Sequence, residues 1–312
     1  MYPSDRGLTS ARLLPLLATE WRALAGLRAV LLAAVLTATA SAQTVILSFD
    51  GFGSTTGLTI NGSARTASTA DGQVLRLVPA SPSQAGSAFT TAQVNVTGFS
   101  TAFDFRLSNP GPSSTTDPAG QYGADGLTFA IQTVGNSALG ALGIGLGYQG
   151  IGQSTGHSLA VEFDTWLNSG IDPTSGNGGS NHLGIDLNGS ISSLTTAAVS
   201  PNFDNGTIWT AWIDYNGTNL EVRVSNTGVR PASATLSQAV NLSSTLGTGT
   251  AFIGFTAGTG SDYANHDILN WAYSDTFVPG GISPVPEPAT YQLMLIGAGL
   301  LWLRRRRLRP AR

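Results

Sequence analysis

The chain has 312 residues, 39 of them Gly, and contains neither Cys nor Lys, so its 15 basic residues are all Arg. Without Cys no disulfide can stabilise it, and a charged fraction of only 11% with abundant Gly is typical of short strands and turns. Residues 43–280 carry five Arg against 13 Asp and two Glu, a formal charge of −10, which disfavours nucleic acid and anionic lipid as partners.

The first 42 residues have the pattern of a secretory signal peptide. Arg22 and Arg28 precede the apolar run 29–36, and the sequence Ala-Ser-Ala at 40–42 matches a signal cleavage site. Residues 1–42 are therefore predicted to form a signal helix that directs the chain across the inner membrane.

Short strand-like runs recur between turn signals across residues 43–280. The predicted strands are 45–49, 74–78, 88–96, 100–107, 126–133, 158–166, 182–187, 207–215, 219–225, 250–256 and 266–273. Asn216-Gly217 stands between two of these runs and indicates a hairpin. Since no amphipathic helix is evident, the sequence predicts one all-β domain over residues 43–280.

Two carboxylates stand out on the predicted strand 158–166. Glu162 and Asp164 are two residues apart, so both project from the same face of the strand, together with Trp166. Two like charges on an otherwise apolar strand are costly to bury, and a bound cation is the simplest remedy. The alternative is a salt-bridged pair at the rim of a sheet.

The segment that follows supplies further ligand types from a loop rich in Gly, Ser and Asn. The oxygen donors that suit calcium, with a backbone carbonyl, are those of Asp164, Asn168 and Asp172. The donors that suit a transition ion such as Mn²⁺ are those of Glu162, Asp164, Asp172 and His182. Because the two sets share Asp164 and Asp172, the sequence predicts a two-metal loop.

Residues 161–168, Asp172 and residues 182–186 together resemble the metal-loop signature of legume-type (L-type) lectins. Three further segments match that family in order: 124–130, 142–148, and 253–260 followed by 266–271. One departure is the spacing from Asp172 to His182, which is several residues longer than is usual. The resemblance implies a concanavalin-A-like β-sandwich, or jelly roll, with Ca²⁺ and Mn²⁺ or another transition metal as cofactors.

The resemblance also implies a carbohydrate site. In this family the peptide bond between Ala124 and Asp125 is cis, and the Asp accepts hydrogen bonds from two sugar hydroxyls. A small residue of the Gly-rich loop, either Gly143 or Gly145, lets the backbone approach the sugar and donate an N–H group.

Further carbohydrate contacts are implied in the metal loop and near the end of the domain. Trp166 would ligate calcium through its carbonyl and stack its ring on a pyranose. Asn168 would ligate calcium and donate its N–H group to a sugar hydroxyl. The loop 259–265, which contains Ser261 and Asp262, is where the family varies its sugar specificity.

The C-terminal residues 281–312 carry a second set of signals. A Pro-rich linker at 284–288 precedes the apolar run 291–303 and the Arg cluster 304–307. This arrangement resembles the PEP-CTERM sorting signal of Gram-negative bacteria, with Val-Pro-Glu-Pro as its signature. The resemblance implies a short transmembrane helix, recognition by an exosortase-type enzyme and transient contact with the inner membrane; an ordinary tail anchor is the alternative.

These observations favour a secreted lectin that binds carbohydrate or exopolysaccharide and is sorted to the cell surface or extracellular matrix. We expect no enzymatic activity. A glucanase on the same sandwich often carries E-x-D-x-E on one strand, and here Trp166 occupies the position of the second Glu. The remaining alternative is a structural matrix or biofilm protein whose lectin fold no longer binds sugar.

Overall fold

The structure is a computed structural model, and it describes residues 46–117, 120–173, 179–278 and 280–283. The predicted signal helix at 1–42 and the apolar run 291–303 lie outside the described residues. Among the residues that are described, no helix is long and apolar enough to cross a membrane.

The described residues form sixteen strands and almost no helix. The strands are β1 Leu47–Asp50, β2 Leu58–Gly62, β3 Arg65–Thr69, β4 Gly72–Val78, β5 Gln84–Thr90, β6 Val94–Asn95, β7 Phe99–Gly111, β8 Gly126–Gln132, β9 Ser158–Asp164, β10 His182–Leu187, β11 Thr195–Ala198, β12 Trp209–Tyr215, β13 Asn219–Ser225, β14 Leu236–Ala239, β15 Thr250–Thr259 and β16 Tyr263–Ser274. The helical segments are a single 3₁₀ turn, Gly143–Gly145, and a five-residue helix α1, Leu242–Leu246.

The strands form two antiparallel sheets. The back sheet has the order β14-β13-β12-β7-β16-β4-β3, and β1 also pairs with β16. The front sheet has the order β11-β10-β9-β8-β15-β5-β2, and β6 also pairs with β15. Neighbours that are distant in sequence, such as β7 beside β16, are connected by crossovers. The predicted all-β sandwich is confirmed.

Aromatic side chains from both sheets fill the space between them. Phe103 of the back sheet meets Phe255 of the front sheet edge to face, with ring centroids 4.9 Å apart. Trp271 and Phe255 make the same kind of contact at 4.9 Å, and Phe105 and Phe163 meet at 5.2 Å. All five side chains are fully buried. Because side chains alternate along a strand, an inward Phe163 turns its neighbours Glu162 and Asp164 to the outer face of the front sheet.

A further layer covers the outer face of the front sheet. Ala130 and Ala160 project outward from β8 and β9, and they pack against Ala138, Tyr148 and Ile151 of the segment between β8 and β9. The hydroxyl of Tyr148 lies 2.7 Å from the Ser158 hydroxyl, which fixes this segment to β9. The segment also carries the Gly-rich loop, so this layer places that loop against the front sheet.

Most predicted strands agree with the observed ones. Residues 182–187 and 219–225 coincide with β10 and β13, and the Asn216-Gly217 turn joins β12 to β13 as predicted. The predicted strand 158–166 ends two residues earlier, at Asp164, because the Trp166 N–H turns back to bond with the Asp164 side chain at 2.7 Å. The alternation of side chains therefore does not extend to Trp166.

Candidate functional site

The strand register brings three metal-ligating side chains together. In the front sheet β9 lies between β8 and β10, and His182 of β10 is directly opposite Asp164 of β9. Gly184 is opposite Glu162, and a Cβ atom at this position would overlap the Glu162 carboxylate and the Ser193 hydroxyl. The absence of a side chain at Gly184 thus leaves room for Glu162 to reach across β10.

Glu162, Asp164 and His182 can point one ligand atom each at a common centre. These three atoms lie within 4.8 Å of one another, and all three residues are buried. The His182 Nε2 atom is 3.1 Å from Glu162 Oε1, and its Nδ1 atom is 2.9 Å from the Gly179 carbonyl. The carbonyl holds the ring in place, as outer partners of metal-ligating histidines do.

Burial and mutual repulsion shift the pKa values of Asp164 and Asp172 upward. Burial, followed by the charges of Asp172 and Glu162, raises the pKa of Asp164 well above its usual range. Burial raises the pKa of Asp172 to about 6. Burial alone would lower the pKa of His182, but the hydrogen bond and charge of Glu162 outweigh it and raise the pKa. A bound cation would relieve this repulsion directly.

The loop after β9 presents a second set of oxygen atoms. The Asn168 carbonyl accepts the N–H groups of Ile171 at 3.0 Å and Asp172 at 3.1 Å, which closes a turn. The Asn168 N–H donates to Asp172 Oδ2. Asn168 Oδ1 is buried and has no hydrogen-bond partner among the described residues. A buried amide oxygen with no such partner, on a residue whose N–H meets the Asp172 carboxylate, fits a calcium ligand, because calcium prefers oxygen donors.

Asp125 lies at the start of β8, next to the metal loop. Its preceding peptide bond is cis, as the resemblance implied. Its N–H donates to the Gly258 carbonyl at 3.1 Å, and its carbonyl accepts the Thr165 N–H at 2.9 Å and the Thr165 hydroxyl at 3.1 Å. The backbone of Asp125 is therefore fixed on one side by β15 and on the other by the residue that follows Asp164.

The Asp125 carboxylate has an unmet demand for hydrogen bonds. The residue is 5% exposed, and its Oδ2 atom has no partner within the described part of the chain. Burial raises the pKa of Asp125 to about 7, opposed by a hydrogen bond from the Gly260 backbone and reinforced by the charges of Asp262 and Asp172. A hydroxyl donor would satisfy this atom and stabilise its charged form.

The structure separates the two candidate glycines. A Cβ atom at Gly143 would lie 3.9 Å from Asp125 Oδ2 and 3.5 Å from the Gly260 Cα atom. A Cβ atom at Gly145 would instead meet Ala141 and Gln149 within its own loop. Gly143, with φ of +61°, is therefore the glycine beside Asp125, and Gly145 is not part of this cluster.

The two residues predicted in the variable loop differ in exposure. Ser261 is exposed, whereas Asp262 is buried and accepts a hydrogen bond from the Thr115 hydroxyl. Gly260, the residue before Ser261, would place a Cβ atom 3.3 Å from Asp125 Oδ2. The variable loop thus lies against Asp125, as its place in the predicted carbohydrate site requires.

Several neighbours of the site were not predicted from the sequence. Thr115 and Gly260 contact the Asp125 side of the site, and Ser193 donates its hydroxyl hydrogen toward Glu162 or Asp186. The Leu167 N–H lies 3.4 Å from Asp117 Oδ2, which links the metal loop to the segment before β8. These residues come from separate loops. Of those named here, only Gly260 lay in a segment that the sequence assigned to the site, the predicted 259–265 loop.

Comparisons with known proteins agree with this geometry. The legume lectin domain family matches residues 44–285, and the PEP-CTERM protein-sorting motif matches residues 284–307. Favin from Vicia faba is 34% identical over 184 residues, which cover 57% of this chain and 71% of favin. An L-type lectin-domain containing receptor kinase from Oryza sativa is 35% identical over 137 residues, but these cover 39% of this chain and 19% of the kinase.

Solved structures show the same similarity. The basic winged bean lectin with Tn-antigen is 28% identical with a TM-score of 0.59, covering 74% of this chain and 98% of that lectin. A lectin from Bauhinia forficata in complex with GalNAc is 26% identical with a TM-score of 0.59, again covering 74% of this chain and 98% of the lectin. The predicted sandwich and both sequence resemblances are confirmed.

Proposed function

Because the chain belongs to the legume lectin family, whose members bind carbohydrate and are not enzymes, we propose that its sugar site is the cluster around Asp125 and depends on two bound metal ions. The observation that carries this proposal is the buried Asp125 Oδ2 atom, which has no hydrogen-bond partner among the residues that the structure describes and lies beside the backbone of Gly143 and Gly260. The metal cluster of Glu162, Asp164 and His182 lies at the end of the adjacent strand.

The donor sets fit the two ions that the sequence implies. Calcium would be held by the side-chain oxygens of Asp164, Asn168 and Asp172 and by the Trp166 carbonyl. A transition ion such as Mn²⁺ would be held by Glu162, Asp164, Asp172 and His182. When bound, the ions supply the positive charge that the buried carboxylates lack and restrict the loop from Thr165 to Asp172.

The residues of the chain would recognise a sugar by complementary hydrogen bonding. Asp125 would accept hydrogen bonds from two neighbouring hydroxyls, while the N–H groups of Gly143 and Asn168 would donate to others. The half-buried Trp166 would offer its ring to the apolar face of a pyranose. Ser261 and Asp262, in the variable loop beside Gly260, would contact the hydroxyls that differ between sugars.

The same residues account for binding without hydrolysis. A glycosidase needs two carboxyl groups on either side of the scissile bond, one of them available as an acid. Here Glu162 is 3% exposed and is engaged by His182 and Ser193, so it faces the metal centre and not a sugar. Weak binding of single sugars is expected, since each hydroxyl exchanges a water bond for a protein bond, and many copies on one surface would compensate through avidity.

The sorting motif supports a site of action outside the cell. A PEP-CTERM motif indicates secretion and surface sorting with processing by an exosortase-type enzyme. We propose that the chain crosses the inner membrane, contacts it transiently through the apolar run 291–303, and acts at the cell surface or in the extracellular matrix. This destination favours an exopolysaccharide as the carbohydrate partner.

Calorimetry with Asp125→Asn tests the sugar site. A glycan array with the calcium-loaded protein first identifies a ligand, and titration of that ligand then compares the wild type with the variant. Asn has the shape of Asp but presents only one acceptor oxygen, so sugar binding should fall at least tenfold while calcium binding stays within about twofold. Asp275→Asn, outside the site, is the matched control. Unchanged sugar affinity in Asp125→Asn, or no ligand on the array, would favour the structural matrix protein.

A further inference from the structure

The outer face of the back sheet carries an apolar row that is covered. Trp212 of β12, Ala102 of β7 and Ala272 of β16 are direct neighbours in the strand register. Their flanking residues Ala211, Ile213 and Trp271 face the core, so the row itself faces away from the core. A Trp on an uncovered outer face would be exposed, yet Trp212 is only 4% exposed.

The residues that cover this row come from the end of the domain. Ile282 is 3% exposed and packs with Trp212, Ala102 and Ala272, and Val278 packs against the same cluster. We name Val278 and residues 280–283 the terminal strap. The strap is also hydrogen-bonded: the Val278 N–H donates to the Ser100 hydroxyl at 3.0 Å, and the Gly281 N–H donates to the Val278 carbonyl at 2.7 Å.

The strap also contacts an ion-pair network beside the apolar row. Arg230 Nη2 lies 2.6 Å from Asp214 Oδ2, and Arg223 Nη1 lies 3.5 Å from the same oxygen. Gly281 adopts φ of +72°, and a Cβ atom there would overlap the Arg230 side chain. The strap therefore passes directly over the guanidinium group, at a position where only Gly leaves enough room. Apolar burial at Ile282 and close contact at Gly281 both fix its path.

The strap and the proposed sugar site lie on opposite faces of the sandwich. Asp125 immediately precedes β8 of the front sheet, and Gly143 belongs to the segment that covers the outer face of that sheet. The strap covers the outer face of the back sheet. The thickness of both sheets separates the two features.

We propose that the terminal strap fixes the point where the sorting segment leaves the domain. While the chain contacts the inner membrane before processing, which is part of the function proposed above, its back sheet then faces the membrane and its sugar site faces away from it. With Ile282 docked, nine residues reach the apolar run at Tyr291, a span of at most about 30 Å. If the chain were free after Ser274, 17 residues could extend about 60 Å and the domain could turn over. The docked strap halves that reach.

Hydrogen exchange of the full chain tests whether Ile282 holds the strap. Ile282→Asp places a charge among Trp212 and two Ala side chains, so the strap should detach while the sandwich remains folded. We expect exchange of the Val278 and Gly281 amides to accelerate at least tenfold, with unchanged exchange in the core strands. Phe277→Ala is the matched control, because Phe277 is 40% exposed in the same segment. Unchanged exchange in Ile282→Asp would overturn the proposal.

Energy transfer tests the orientation. Because the chain has no Cys, single cysteines can carry a donor dye either on the outer face of the back sheet, by Ser237→Cys, or in the sugar-side loop, by Ser261→Cys. The full chain is inserted into lipid vesicles that contain an acceptor dye. We expect several-fold greater transfer from position 237 than from 261, and Ile282→Asp should remove most of this difference. Equal transfer from the two positions in the wild-type background, or failure of the chain to insert, would refute the proposal.

Discussion

Replacing Asp164 by Asn should remove most of the stability that the domain gains from calcium. Asp164 belongs to both proposed ligand sets and is 4% exposed, and burial, followed by the charges of Asp172 and Glu162, raises its pKa. Calcium at 100 times its dissociation constant adds about 2.7 kcal/mol to the stability of the folded state. For a domain of this size each kcal/mol changes the melting temperature by about 2–4 °C, so the wild type should gain about 5–10 °C.

The melting temperature of the variant should differ from that of the wild type both in chelator and in calcium. Asn keeps the shape of Asp but removes one of the repelling charges, so Asp164→Asn should melt at or above the metal-free wild type in chelator. In calcium it should melt below the wild type, because it lacks the shared ligand charge. The order of the two melting temperatures is therefore expected to reverse between chelator and calcium. A merely structural role for Asp164 would lower the melting temperature in both conditions.

Differential scanning calorimetry at pH 7.5, in calcium and in chelator, measures both differences. Asp50→Asn is the matched control, since Asp50 is an exposed strand residue of the back sheet and should leave the calcium shift intact. The two-metal interpretation would be refuted by a wild type whose melting temperature is the same in chelator and calcium. It would also be refuted by an Asp164→Asn variant that keeps the full shift.

Three further outcomes are expected. Gly184→Ala should cost about 1–3 kcal/mol of stability in urea unfolding and weaken Mn²⁺ binding, because its Cβ atom would displace Glu162; equal Mn²⁺ affinity would contradict this. Trp166→Ala should weaken sugar binding in calorimetry and preserve calcium binding, since the ligand there is a backbone carbonyl. Burial raises the pKa of Asp204 to about 7, so the folded state binds this proton more tightly and stability falls as pH rises from about 4 to 7. Asp204→Asn should therefore raise the melting temperature at pH 8 and not at pH 4, and an equal rise at both would exclude this cause.

The strands that could not be predicted from the sequence share a position in the sheets. β3 and β14 are the two ends of the back-sheet order, and β2 and β11 are the two ends of the front-sheet order. An edge strand has a neighbour on one side only, and these four consist mainly of Thr, Ser, Ala, Asn and Gly without a continuous apolar face. The periodicity of apolar residues reflects burial. It therefore predicts central strands such as β9 and fails to detect edge strands.

The site divides in a similar way. The proposed metal ligands Glu162, Asp164 and Asn168 could be picked out because they follow one another along a single strand and loop. Contacts between distant loops could not be predicted from the sequence. Thr115 donates a hydrogen bond to Asp262, 147 residues away along the chain, and Gly260 lies beside Asp125. The choice between Gly143 and Gly145 also required the structure, because both are glycines in one loop and only the loop's path decides which approaches Asp125.

The hydrogen bonds around Thr165 indicate which part of the sugar site depends most on the ions. Two bonds from Thr165 and one to Gly258 hold Asp125, and all of them are present among protein groups alone. Asn168, in contrast, is held by a turn that closes through the carboxylate of Asp172, and its own side-chain oxygen has no partner in the described part of the chain. Without an ion, repulsion between Asp172 and Asp164 opposes this turn. In the proposed site the metals would therefore act on sugar binding mainly by ordering the loop that carries Asn168 and Trp166, while Asp125 is held in place by the sheet itself.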